Sequence, residues 1–214
     1  MTTTGQRGAT APTAVRELAV EGAFEFTPKV FPDRRGLFVT TYQQPVFAGA
    51  TGHAFPFFQT GQSLSHRGVV RGVHFTATPP GMAKHVYCAR GRALDFVVDL
   101  RVGSPTFGRW DTVQLDQEHF RSTYLPVGVG HAFVALEDDT AMVYQMSGPY
   151  VAEHELALSP LDPALGLPVT LDGVEPILAE RDISAPTLAG ALESGILPRY
   201  EDCLVREDRL GRED

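Results

Sequence analysis

Short runs of strand-forming residues, separated by turn signals at close intervals, constrain the fold of this chain more than any other feature. Turn sequences such as PPG, ARG, GSPTFG, PVG and EDDT separate the runs. Many short strands without alternating helices predict a mainly β sandwich or barrel rather than a parallel α/β sheet. The predicted strands are Leu37–Tyr42, Val69–Phe75, His85–Ala89, Ala93–Leu100, Trp110–Leu115, Ser122–Leu125, His131–Leu136 and Ala141–Met146.

The chain of 214 residues predicts one main domain with extensions at both ends. Residues 1–16 have the composition of a flexible tail, and residues 17–170 hold the predicted strands. In the C-terminal segment 171–214, which is expected to pack on the barrel, apolar spacing over Ser184–Leu197 predicts a helix that starts at Ser184 or Ala185 and stops at Gly195. The charged end, Arg199–Asp214, is expected to fray or to form a short surface helix.

Charge and cysteine content exclude several classes of protein. Eighteen basic against 26 acidic residues give a net charge of −8, which argues against generic binding of nucleic acid or of an acidic membrane surface. Cys88 and Cys203 form no CxxC pair, so neither a disulfide scaffold nor a zinc knuckle is expected. The chain shows no apolar run of about 18 residues and no secretory signal. A cytoplasmic protein is therefore predicted.

The segment RGVVRGVHF brings Arg71 and His74 close together in one predicted strand. Three residues apart, their side chains would lie on opposite faces of a flat strand. Gly72 between them is a candidate for a β-bulge that re-aims one of the two. Lys84 is also notable, because the chain has two lysines and sixteen arginines, and a compact ammonium group suits an oxyanion.

Two further candidates, His131 and Tyr144, fit a structural role as well as a functional one when the residues are taken alone. His74 could likewise be an incidental histidine at a strand edge, and Lys84 could simply be an exposed surface lysine. A metal is not expected, because His74 is not part of an HxH motif and His85 lies beside a cationic lysine. The sequence also contains no GxSxG, GxGxxG or P-loop motif.

Taken in order, several segments resemble the nucleotide-sugar 3,5-epimerase family, typified by dTDP-4-dehydrorhamnose 3,5-epimerase. The segments PPGMAKHVYCARG and YLPVGVGHAFVALEDDT resemble sequences of the antibiotic deoxysugar branch of that family, such as the 5-epimerases of epivancosamine biosynthesis. The segments that carry the resemblance are FPDRRGLF (31–38), VVRGVHF (69–75), VDLRVGSPTFGRW (98–110), LPVGVGHAFVAL (125–136), LDPALGLP (161–168) and AERDISAP (179–186).

The resemblance implies a cupin-type jelly-roll barrel with a short C-terminal helical region, a homodimer, and no metal or other cofactor. It implies a dTDP-linked 4-keto-6-deoxy sugar as substrate, inverted at C5 and possibly also at C3. His74 matches the base of the family and Asp182 its carboxylate partner. Tyr144 matches the acid on the opposite face, and Lys84 matches the residue beside the developing oxyanion.

The resemblance also implies a set of substrate-binding residues. Arg71 and Arg35 match positions that contact the nucleotide or its diphosphate, for which a guanidinium group is well suited. His131 and Gln59 match residues that line the sugar and nucleotide pocket, and Phe31 matches one that borders the base.

The chain departs from the family pattern at two places around the predicted sugar pocket. Family members commonly read QxNxS where this chain has QTGQS, so Gly61 replaces an amide, and Ala132 follows His131 where AHGF is usual. A 2-deoxy or 3-amino sugar would be consistent with these changes. Three alternatives stay open: a metal-free cupin 3,4-ketoisomerase, a non-catalytic nucleotide-sugar-binding cupin and a metal-dependent cupin oxygenase.

Overall fold

The structure, a computed structural model, describes residues 13–211 of the chain. Four short α-helices accompany thirteen strands in this part: α1 (Gln44–Thr51), α2 (Glu180–Ile183), α3 (Leu188–Glu193) and α4 (Tyr200–Leu210). The strands are β1 (Ala14–Glu17), β2 (Phe24–Thr27), β3 (Val30–Asp33), β4 (Gly36–Val39), β5 (Gln59–Ser65), β6 (Val70–Thr76), β7 (Lys84–Arg90), β8 (Arg92–Asp99), β9 (Trp110–Asp116), β10 (Ser122–Leu125), β11 (Val129–Ala135), β12 (Thr140–Met146) and β13 (Glu155–Ala157).

Two antiparallel sheets face each other and form a jelly roll, which confirms the predicted fold class. One sheet has the strand order β1-β2-β10-β7-β12-β5, and the other has the order β13-β6-β11-β8-β9. The hairpin of β3 and β4 forms a third, two-stranded sheet of its own. All eight predicted strands are present, whereas β1, β2, β3, β5 and β13 were not predicted.

The main core lies between the two large sheets. Alternate residues of β8 and β11, such as Val97 and Phe133, meet Val86 and Met142 of the six-stranded sheet there. Every other residue of these strands points away from this core. Phe96 and Val98 of β8 point outward and are nevertheless buried, as predicted for this strand, which is apolar on both faces.

Chain segments that follow the barrel cover its outer faces. Ala191 of α3 and Leu197 pack on the five-stranded sheet. Cys203 of α4 packs with α1 on the outer face of the six-stranded sheet, in an aromatic cluster that includes Phe47 and Tyr124. The C-terminal segment therefore belongs to the same packed body as the barrel.

The predicted bounds of the C-terminal helix require correction. The helix predicted over Ser184–Leu197 begins only after Thr187, whose hydroxyl accepts a hydrogen bond from the Gly190 backbone N–H. The backbone just before Thr187 does not join the helix, because the Pro186 carbonyl accepts a hydrogen bond from the Ser159 N–H at 2.9 Å. The charged end forms a helix of eleven residues, α4, because Cys203 provides a buried contact on the barrel.

The predicted N-terminal tail also requires correction at its end. Residues 14–16 belong to β1, because they pair with β2 and Arg16 forms ion pairs with Glu25 at 2.6 Å and Asp111 at 3.2 Å. Residues 1–12 of the predicted tail lie outside the described residues. No helix in the described range 13–211 is long and apolar enough to cross a membrane.

Candidate active site

A β-bulge at Gly72 places Arg71 and His74 on the same face of β6. Arg71 pairs with Phe133 and His74 pairs with His131, so two residues of β6 oppose the single residue Ala132. A Cβ atom at Gly72 would lie 2.4 Å from the His131 carbonyl oxygen, and its φ of +118° favours glycine. This confirms the bulge predicted from the sequence, and both side chains face the interior of the barrel.

His74 forms a hydrogen-bonded pair with Asp182 of helix α2. The His74 Nε2 lies 2.7 Å from one oxygen of Asp182, and the Gly72 N–H lies 3.4 Å from the other. The carboxylate is buried, whereas the imidazole is 28% exposed. The predicted pairing is therefore present, with the histidine still accessible from the cavity.

The electrostatics of this pair favour a neutral imidazole beside an ionised carboxylate. Burial lowers the pKa of His74 below its ordinary value, although the hydrogen bond to Asp182 opposes that shift. Burial would raise the pKa of Asp182, but the hydrogen bonds that its carboxylate accepts from His74 and from the Gly72 N–H hold that pKa below its ordinary value. Because ionised Asp182 accepts from Nε2–H, Nδ1 keeps its lone pair, and that atom has no hydrogen-bond partner among residues 13–211.

Tyr144 and Lys84 lie on the six-stranded sheet, which faces the five-stranded sheet that carries His74. Tyr144 pairs with Gly61 across β5 and β12, and Lys84 pairs with Met146 across β7 and β12, so both side chains share the inward face. They line a cavity of about 300 Å³, and His74 with Asp182 lines a second cavity of about 370 Å³. The rings of His131 and Tyr144 lie 6.1 Å apart and link the two walls.

The Tyr144 phenol is protonated at neutral pH. Burial raises the pKa of Tyr144 to about 12, although the contact with Ser63 and the charge of Arg71 oppose that shift. The hydroxyl lies 3.0 Å from the Ser63 hydroxyl oxygen. A protonated phenol therefore lies on the wall opposite His74.

A buried carboxylate that was not predicted, Glu155, holds Lys84 in place. The Lys84 ammonium donates to Glu155 at 3.2 Å, and the Thr76 hydroxyl donates to the other oxygen of Glu155 at 2.7 Å. The Glu155 side chain is 5% exposed and comes from β13, next to His74. The charge of Lys84 also lowers the pKa of His74. Lys84 therefore lies between the two sheets, near the predicted base.

A second histidine–aspartate pair, His131 with Asp95, is almost completely buried in the barrel. His131 Nε2 contacts one oxygen of Asp95, and the Thr123 hydroxyl donates to the other at 3.0 Å. The side chains of His131 and Asp95 are 7% and 0% exposed. His131 therefore borders the site through its ring contact with Tyr144.

Two of the predicted substrate-binding residues lie at the cavities. Arg71 lines the His74 cavity, where it donates to the Ser65 hydroxyl at 3.1 Å and to the Leu64 carbonyl at 3.3 Å. Gln59 lines the Tyr144 cavity and accepts a hydrogen bond from the Tyr150 backbone at 3.1 Å. Both side chains are thus anchored beside the space between the walls.

Arg35 and Phe31 do not come to these cavities within one chain. Both belong to the β3–β4 hairpin, where the Arg35 guanidinium is 82% exposed and pairs with Asp33 at 2.5 Å. Phe31 is 37% exposed and contacts the Lys29 ammonium, 5.1 Å from its ring centroid. Neither residue is among the described residues that line the two cavities.

Sequence analysis missed two buried carboxylates, Asp95 and Glu155, and only the first could have been found from its sequence context. Asp95 is a charged residue inside the apolar run ALDFVVDL, which was itself predicted to be buried, so a partner could have been sought. Glu155 lies in a polar segment, AEHEL, that resembles a surface loop. No group of three or more histidine, cysteine, aspartate or glutamate side chains suited to a metal occurs in the described range.

A family model described as dTDP-4-dehydrorhamnose 3,5-epimerase matches residues 17–190. The chain belongs to this family. A dTDP-4-dehydrorhamnose 3,5-epimerase of Mycolicibacterium smegmatis is 46% identical over 197 residues, which cover 92% of this chain and 96% of that protein. The residues matched by the family model include both large sheets, apart from most of β1, and the helix that carries Asp182.

Solved structures show the same fold at a comparable level of identity. An epimerase of Mycobacterium tuberculosis superposes with a TM-score of 0.88 at 40% identity, covering 92% of this chain and 99% of that one. A doubly substituted 3′-monoepimerase of Streptomyces bikiniensis, in complex with dTDP, has a TM-score of 0.87 at 42% identity, covering 92% and 99%. The relatives thus include 3,5-epimerases as well as 3-epimerases.

Proposed function

We propose that the protein is a cofactor-independent epimerase that inverts a carbon next to the keto group of a dTDP-linked 4-keto-6-deoxyhexose. One observation carries the proposal: the His74–Asp182 pair lies on one wall and the Tyr144 phenol on the opposing wall. A keto group acidifies the hydrogens on the neighbouring carbons, so inversion needs a base on one face of the ring and an acid on the other. The proposal gives these roles to His74 and Tyr144.

In this mechanism His74 removes the ring proton through Nδ1. Buried Asp182 keeps the hydrogen on Nε2 and stabilises the imidazolium that forms. Since only neutral imidazole accepts a proton, a His74 pKa below its ordinary value keeps the base available at neutral pH. Asp182 is here a positioning residue that acts through His74.

Lys84 stabilises the enolate oxygen that develops at C4, and Tyr144 returns a proton to the opposite face of the ring. The Lys84 side chain is 14% exposed and its ammonium group is held by Glu155, so it needs little reorganisation as negative charge develops. The high pKa of Tyr144, about 12, leaves the phenol able to donate throughout the neutral range. Because the proton returns to the face of the ring opposite the one from which His74 removed it, the configuration of the carbon is inverted.

Arg71, Gln59 and His131 are assigned to binding of the nucleotide sugar. Arg71 has guanidinium donors beyond the two that contact Ser65 and Leu64, which suits a diphosphate oxygen. Gln59 borders the Tyr144 cavity, and His131 supports the Tyr144 ring. The complex of a related 3′-monoepimerase with dTDP supports this class of ligand.

The proposed assembly is a homodimer in which the β3–β4 hairpin reaches the nucleotide site of the partner subunit. The hairpin exposes Leu37 to 50% and Phe38 to 67%, an apolar surface that a second copy would cover. This arrangement would allow Phe31 and Arg35 to contact a nucleotide although neither lines a cavity of its own chain. Light scattering of the purified protein tests the dimer.

The proposed setting is deoxysugar biosynthesis for a natural product in the cytoplasm. Relatives named 3-epimerases from Streptomyces support the deoxysugar part of this proposal. Cys88 and Cys203 are both buried and unpaired, as suits a reducing compartment.

The experiment that tests the proposal is incubation with dTDP-4-keto-6-deoxyglucose in heavy water, followed by NMR of the ring protons. Loss of the C5 signal alone would identify a 5-epimerase, loss of the C3 signal alone a 3-epimerase, and loss of both a 3,5-epimerase. Retention of both signals, together with undiminished binding of dTDP, would favour a non-catalytic nucleotide-sugar-binding protein. Metal analysis of the same preparation tests the expected absence of a metal.

A further inference from the structure

Gly61 lies at the point where a side chain would touch the proposed acid. It is directly opposite Tyr144 in the register of β5 and β12. Directly opposite residues of an antiparallel pair project to the same face, with Cβ atoms about 4.5–5.5 Å apart. A side chain at position 61 would therefore stand inside the cavity, beside the Tyr144 ring.

The backbone does not require glycine at this position. Gly72 has a φ of +118°, and its Cβ atom would clash with the His131 carbonyl at 2.4 Å. Gly61 has no such φ, and its Cβ atom would meet only the Met146 Cε methyl, at 3.4 Å. Because glycine weakens the interior of a strand, an unforced glycine that lines a cavity indicates close approach of a ligand.

The surroundings define what fills this space. Two polar groups of this cavity are held by protein partners, since Lys84 binds Glu155 and the Tyr144 hydroxyl contacts Ser63. The nearest atom to the missing side chain is the thioether methyl of Met146. A small apolar group therefore fits the space better than a charged or hydrogen-bonding one.

We propose that Gly61 is a specificity-determining residue that admits a 4-keto-6-deoxy sugar with one additional small apolar ring substituent, such as a methyl branch. The substituent occupies the volume between the Tyr144 ring and the Met146 methyl group. This inference rests on the proposed function, because it presumes that the sugar lies between the walls that carry His74 and Tyr144.

The test compares two substrates in the wild-type protein and in Gly61→Ala. The substrates are dTDP-4-keto-6-deoxyglucose and its 3-C-methyl analogue, whose C3 carries no hydrogen, so proton exchange at C5 is the readout common to both. A Cβ atom fits at position 61, so Gly61→Ala should fold. We expect kcat/KM for the branched sugar to fall about tenfold or more and kcat/KM for the unbranched sugar to change less than about twofold.

The matched control is Gly49→Ala, the same change in α1, where an added Cβ atom meets nothing within 4 Å. It should leave kcat/KM for both sugars unchanged. Equal losses for both sugars in Gly61→Ala, or no loss for either, would overturn the specificity role. So would a wild-type protein that acts only on the unbranched sugar. Exchange of neither sugar by the wild-type protein would instead refute the proposed function itself.

Discussion

Two histidine–aspartate pairs lie side by side in the barrel and differ in access. His74 and His131 are directly opposite each other on β6 and β11, and each contacts an aspartate through Nε2. Asp182 reaches His74 from a helix beyond the barrel, whereas Asp95 belongs to β8, next to β11. The imidazole is 28% exposed in the first pair and 7% exposed in the second.

The comparison shows that a histidine–aspartate pair can have a catalytic or a structural role, depending on how exposed its imidazole is. A base must exchange protons with a ligand, so one nitrogen has to face an open cavity, as the 28% exposure of His74 allows. In the second pair, Asp95 also binds the Thr123 hydroxyl of the opposing sheet. That pair ties the two sheets together and fixes the ring against which Tyr144 rests. The predictions below test this division of roles.

The largest expected effect is that of His74→Ala. Without the base, we expect exchange of the ring protons in heavy water to slow by about a thousandfold or more. Affinity for dTDP, measured by calorimetry, should stay nearly unchanged, because the imidazole is not assigned to the nucleotide. The control His66→Ala removes a histidine that is 84% exposed and lies outside both cavities. Undiminished exchange in His74→Ala would reject the base assignment.

Asp182→Asn should slow exchange by about a hundredfold, because an amide stabilises the imidazolium less than a carboxylate does. Asp182 raises the pKa of His74 against the lowering effect of burial. Its loss should therefore lower that pKa further. Since activity is lost on the acid side as His74 becomes protonated, the acid limb of the kcat/KM profile should move to lower pH. A lower rate with an unmoved acid limb would show that Asp182 has a structural role only.

Tyr144→Phe should separate proton removal from inversion. The base on the opposite wall remains, so exchange should survive in part, while formation of the inverted product falls by about a hundredfold. NMR of one reaction measures both quantities. Ser63→Ala is the matched control, because it removes the contact with the phenol and keeps the donor itself. Equal losses of exchange and inversion in Tyr144→Phe would contradict a separate acid.

The two histidine–aspartate pairs also show which features of the site can be predicted from the sequence. Eight of the thirteen strands of residues 13–211 and the bulge were predictable, because turn residues bound each of these strands and Gly72 separates Arg71 from His74. The pairing of His74 with Asp182 was predictable only through the family resemblance, since 108 residues separate them. Glu155 was missed because nothing local distinguishes a buried carboxylate in a polar segment from an exposed one.

The smallest expected effect on catalysis is that of Asp95→Asn, which should act on stability instead. The carboxylate is completely buried and serves His131 and Thr123 together, whereas an amide offers only one acceptor oxygen. We expect the free energy of unfolding, measured in urea, to fall by about 2 kcal/mol, and kcat to fall by less than about tenfold. Asp138→Asn, in the exposed pair of His66 and Asp138, should leave the free energy of unfolding unchanged. If Asp95→Asn instead slowed exchange as much as Asp182→Asn, both pairs would take part in proton transfer, and burial would not distinguish them.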